Sequence, residues 1–129
     1  IYEWFKSITY GDLTTMKKFH EQFGFPLDFK ISRNLLQKLL TDKYESLEDA
    51  NGLIIACITN RIEMIKYLLN NGSNIEFCLP FNGETALFNA MKFNKMESFK
   101  VLLKYGANIN TTTTQSECYD NTNTPIGFE

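Results

Sequence analysis

Catalysis needs a nucleophile beside a base, paired acids or clustered metal ligands, and this 129-residue chain holds few such side chains. His20 is its one histidine. As a general base it would need an orienting carboxylate, and Glu21, adjacent in sequence, is expected to point elsewhere on a helix. His20 is therefore read as a structural or surface residue. Cys57, Cys78 and Cys118 are odd in number and widely spaced, with no C-x-x-C pair, which argues against a disulfide framework or a zinc knuckle. Cys57, beside Ala56, reads as a small core residue. Cys78 and Cys118 read as exposed loop thiols with no basic neighbour to activate them. This pattern suits a reducing setting, so the expected location is intracellular, cytoplasmic or nuclear. No Gly-rich phosphate loop, H-E-x-x-H or calcium-loop pattern occurs. Asn71-Gly72-Ser73 matches the N-x-S glycosylation pattern, but its glycine is better explained as a helix end. These residues imply no catalysis, no cofactor, no metal and no small-molecule substrate.

The bulk composition narrows the partners. A net charge of -2 provides no basic face to displace counterions from nucleic acid. No stretch of about 18 uncharged apolar residues is present, so no membrane span is expected. The opening IYEWFKSITYGD lacks the basic and apolar regions of a signal peptide. The length suits one domain, 1–129, and the absence of an initiator Met suggests a fragment of a longer protein.

The elements that position the side chains come from a repeat. GLIIACITNRIEMIKYLLNNGSNIE (52–76) aligns with ALFNAMKFNKMESFKVLLKYGANIN (86–110) at a shift of 34 residues, with 10 of 25 pairs identical. In each copy a short helix opens after a capping residue, Asn51 or Thr85. Leu53, Ala56 and Cys57 form one apolar face, as do Leu87, Ala90 and Met91. Asn60 and Asn94 follow where a tight turn needs left-handed backbone. Second helices are predicted from about Ile62 to Asn70 and from about Met96 to Lys104. Their stripes are Ile62, Ile65, Leu68 and Leu69, then Met96, Phe99, Leu102 and Leu103. Gly72 and Gly106 stop them. Leu35, Leu36, Leu39 and Leu40 predict an inserted helix at about 33–42.

These motifs resemble the ankyrin repeat. GETALFNAMKFNKMESFKVLLKYGANIN (83–110) carries the family pattern of turn, Thr-x-Leu opening, helix–turn–helix, Leu-Leu and Gly-Ala-Asn-Ile-Asn. Residues 47–76 resemble a second unit, with Asn-Gly in place of the family's Thr-Pro. SITYGDLTTMKKFHEQFGFPLDF (7–29) resembles the second half of a degenerate unit, with Gly11-Asp12-Leu13 as its turn and IYEWFKSI as its first helix. Thr124-Pro125-Ile126 resembles a further opening, although Glu129 would then fall on a buried position. Phe88 and Ile54 stand where the family has histidine.

The resemblance implies an all-α ankyrin-repeat helical solenoid, with units at about 1–29, 47–79 and 80–110 and a partial one from 120. It also implies a non-catalytic module that binds a protein partner through its finger loops and concave face. An alternative is a recognition or targeting arm of a larger enzyme. Position by position, the finger residues are Phe81, Asn82 and Glu84, with Glu48 and Ala50 one unit earlier. The exposed side of the first helices holds Lys92 and Phe93, with Ile58 and Thr59 earlier. Phe81, Phe93 and Ile58 are apolar where polar residues are usual. They read equally as a contact patch or, for Phe93 and Ile58, as packing against the inserted helix or a missing repeat. The polar run TTTTQSECYDNTNT reads as a long loop.

Overall fold

Short apolar stripes separated by left-handed turn residues fold into helical hairpins. A computed structural model describes residues 1–40 and 42–109, and seven α-helices lie among them. They are α1 (Tyr2–Tyr10), α2 (Leu13–Phe23), α3 (Arg33–Leu39), α4 (Gly52–Ile58), α5 (Ile62–Asn70), α6 (Ala86–Lys92) and α7 (Met96–Lys104). A 3-10 turn, Asp42–Leu47, follows α3. Both α5 and α7 begin and end where their stripes predict. The inserted helix stops at Leu39 rather than 42, because Leu40 takes an extended conformation and the chain enters the 3-10 turn. The loop from 111 and the opening at 124–126 lie outside the described residues.

Local chemistry sets the helix ends. Asn51 Oδ1 accepts from the Ile54 amide at 3.0 Å, and Thr85 Oγ1 from the Phe88 amide at 3.2 Å, so both predicted caps form. Each hairpin turns on one left-handed residue, Gly11 (φ 76°), Asn60 (59°) or Asn94 (60°). The second helices close alike. The Ser73 amide donates to Leu68 O at 2.9 Å and the Ala107 amide to Leu102 O at 3.0 Å, with Gly72 and Gly106 left-handed in between.

The hairpins α1–α2, α4–α5 and α6–α7 stack so that α1, α4 and α6 form one row, with α4 in the middle. Polar groups tie each unit to the next. Arg61 Nε donates to Thr9 O at 2.9 Å, at the end of α1. Ser98 Oγ lies 2.9 Å from Cys57 O, at the end of α4. These contacts satisfy carbonyls that a helix C-terminus leaves unpaired. A carboxylate in each connecting loop adds a second tie. Asp28 accepts from the Asn74 amide (3.2 Å), and Glu76 Oε2 from the Asn108 amide (2.7 Å). Asp28 also accepts from Asn51 Nδ2 (2.9 Å) and Ser73 Oγ (2.7 Å), which joins the loop after α2 to the cap of α4 and to the loop after α5.

The core comprises the apolar faces of the row. Trp4, Phe5 and Ile8 anchor its first unit, where Trp4 packs on Phe25 with ring centroids 4.8 Å apart. Part of the predicted core is exposed. Met91, Met96 and Leu103 all reach solvent, whereas one unit earlier Cys57, the counterpart of Met91, is fully buried and Ile62 and Leu69, the counterparts of the other two, are half-buried. The earlier unit has α6–α7 stacked on it, and no described element stacks on α6–α7 itself. A cavity of about 100 Å³ opens on that end, between Leu87, Met91 and Phe99.

Candidate partner-binding surface

The finger between α5 and α6 is a short closed loop. The Leu79 amide donates to Glu84 O (2.9 Å), the Gly83 amide donates to Leu79 O (2.8 Å), and Gly83 turns at φ 73°. Asn82 Oδ1 accepts from the Glu84 amide at 3.0 Å, which rounds off the tip. Phe81 stands at this tip with 88% of its surface exposed.

The finger one unit earlier has the same neck. The Ile31 amide donates to Ala50 O (2.8 Å), the Asp49 amide donates to Ile31 O (2.9 Å), and Asp49 has φ 71°. Ile31, Asp49 and Ala50 therefore occupy the places of Leu79, Gly83 and Glu84. From Ile31 to Asp49 the loop is 14 residues longer than from Leu79 to Gly83, and that excess carries α3 and the 3-10 turn. The inserted helix is an overgrown finger.

This placement redistributes the expected contact residues. Asn82 is half-buried and shapes the tip. Glu84 is buried against the stack and pairs with Lys92 Nζ at 3.4 Å. Lys92 also lies 5.5 Å from the Phe93 ring centroid. Phe93 packs on Tyr44 of the overgrown finger, with ring centroids 4.9 Å apart. Ile58 is 1% exposed, and the Thr59 hydroxyl donates back to Ile55 O at 2.7 Å. Glu48 holds Arg33 at 2.8 Å near the neck, and Ala50 is buried. The three apolar residues Phe81, Phe93 and Ile58 therefore form no common patch. Phe93 packs on the overgrown finger, Ile58 is buried in the core, and Phe81 stands in solvent.

The groups with chemical potential are also placed. His20 meets Tyr67 across the first two units, with Nδ1 and the phenol oxygen 2.8 Å apart. Tyr67 donates to Glu21 Oε2 at 2.9 Å, so Glu21 does not point away as expected. A carboxylate only accepts, so the phenol proton goes to Glu21 and His20 Nδ1–H donates to the phenol oxygen. Burial and then the Glu21 carboxylate push the Tyr67 phenol up to about 12. Cys57 is a free, buried thiol whose pKa burial raises far above its ordinary value. Cys78 is buried and disulfide-bonded, which corrects the expectation of an exposed thiol and removes the cysteine pattern as an argument for a reducing setting.

Comparison with known proteins agrees with this geometry. The family model for ankyrin repeats, three copies, matches residues 27–113. The chain belongs to the ankyrin-repeat family. Ankyrin repeats are non-catalytic units that serve protein–protein interaction. The ankyrin segment is also 33% identical over 91 residues to palmitoyltransferase AKR1 of Kluyveromyces lactis. That match covers 68% of this chain and 12% of the length of the transferase.

The necks were missed in the sequence, although a signal was there. Aligning Asp49-Ala50-Asn51 with Gly83-Glu84-Thr85 keeps the 34-residue shift, so the excess has to lie before Asp49. Asp28 gave no signal, because its partners converge only after folding.

Proposed function

We propose that this ankyrin domain is an interaction module that captures a protein partner by the tip of its α5–α6 finger, with Phe81 as the anchor. The carrying observation is the exposure of that ring on a hydrogen-bonded neck. A rigid aromatic loses little conformational freedom on binding and removes a large apolar area from water. Asn82 shapes the tip that carries the ring, and the Glu84–Lys92 pair braces the loop where it joins α6. The module acts by shape and side-chain complementarity. The location we propose is intracellular, cytoplasmic or nuclear, and it rests on the ankyrin family alone, since a disulfide at Cys78 does not favour a reducing compartment.

Partner capture from a lysate of the source cell tests this reading. Phe81→Ala is expected to lose the captured protein while the melting temperature stays within a degree or two, roughly the shift of a neutral surface change. Retention of the partner by Phe81→Ala, with the fold intact, overturns the assignment.

A second reading rests on the match to a palmitoyltransferase over 12% of that protein's length. Under it, the domain is the recognition or targeting arm of a larger protein that carries an enzyme elsewhere. Sequencing the complete gene separates the two readings.

A further inference from the structure

Every residue of α4, from Gly52 to Ile58, is buried, and the segment GLIIACI is apolar on all sides. In the row, α1 and α6 flank α4, and α5 lies behind it. The remaining side would face water unless something crossed it. The overgrown finger reaches the elements on both flanks of α4. At one end α3 packs on α1, with Lys38 Nζ 5.9 Å from the Tyr2 ring centroid. At the other end Tyr44 packs on Phe93, just past α6. The finger thus spans from the first helix of the row to the last, with α4 between. Leu36, Leu39 and Leu47 are buried in the same cluster as Ile54, Ile55 and Ile58. Asn89, the counterpart of Ile55 in the next unit, is also fully buried.

We infer that residues 32–48 form a strap occupying the chain's own inner helix row, to be exchanged for an apolar helix of the partner. Both ends of the strap leave through one neck, so it can swing out without breaking the stack. Two backbone hydrogen bonds hold that neck, helped by the solvent-exposed Arg33–Glu48 pair. Asp49 takes the left-handed conformation that the next finger gives to glycine. With seven residues, α3 is too short to stay helical without the surface beneath it. The row left behind is apolar, so opening it to water is unfavourable. A displacing segment must therefore bring leucines at helical spacing, as Leu36 and Leu39 do. This inference rests on the interaction-module reading and adds a partner class to it.

Hydrogen exchange on the unaltered chain tests the strap with no partner present. The amides of Leu36 and Leu40, bonded in the first and last turns of α3, are expected to exchange at least about tenfold faster than those of Ile65 and Asn71, bonded in the first and last turns of α5. Equal protection means that the strap opens only when the whole domain unfolds, and overturns the inference. A second test releases the strap with Leu36→Asp and Leu39→Asp in the full chain. A labelled peptide of the natural 30–50 sequence is expected to bind this variant at least about tenfold more tightly than the unaltered chain. Equal binding, or loss of the cooperative melt in the variant, identifies the strap as ordinary core and also overturns it. Neither test involves Phe81, so loss of capture by Phe81→Ala would survive their failure.

Discussion

Truncating Phe81 removes a ring that is almost wholly in water, so stability should change by less than about 0.5 kcal/mol. Phe93→Ala, at the facing end of the strap, removes the ring that Tyr44 packs on and should cost about 2 kcal/mol, below the range for a fully buried ring. Urea denaturation of the two variants side by side checks this contrast. Tyr67 makes a separate prediction about pH. Its folded pKa of about 12 lies above the ordinary 10.0, so folding favours the neutral phenol. The resulting stability is fully present below pH 10 and is lost as pH rises towards 12. Alkaline unfolding midpoints should show Tyr67→Phe less sensitive to pH across that window than the natural chain. Cys57 should resist a thiol reagent in the native domain and react only on unfolding, because it is both buried and held protonated.

At the scale of elements, the N-caps differ in what else they touch. Thr85→Ala should cost about 1 kcal/mol, the usual price of a lost cap. Asn51→Ala should cost more, about 2 kcal/mol, since Asn51 also donates to Asp28. Thermal melts of the two variants rank them. These caps, the bounds of α5 and α7 and the left-handed Asn60 and Asn94 were legible in the sequence because each depends on residues within one turn of itself. The turn of the α1–α2 hairpin was legible in Gly11-Asp12-Leu13 for the same reason. The contact surface was legible only at Phe81. Phe93 packs on a finger that folds back from elsewhere in the chain, and periodicity carries no information about that return. Met91, Met96 and Leu103 failed in the opposite sense. Their stripe was read correctly, but the neighbour that would bury it is absent from the described residues.

For the whole molecule, Asp28 is the side chain whose loss should be felt farthest. It joins the loop after α2 to the cap of α4 and to the loop after α5. Asp28→Ala would leave the buried Asn51 and Ser73 short of a partner, and should cost about 3 kcal/mol in urea denaturation. Because units in a stack stabilise their neighbours, the transition should also broaden as the first unit uncouples. The paired necks have a different consequence, one for engineering and for evolution. One closure carries three residues at 80–82 and seventeen at 32–48, while the helices on either side keep their places. The entropy of closing a loop grows only slowly with its length. The neck is thus a socket, and the tip at 80–82 is where a foreign recognition loop can be grafted without retuning the scaffold.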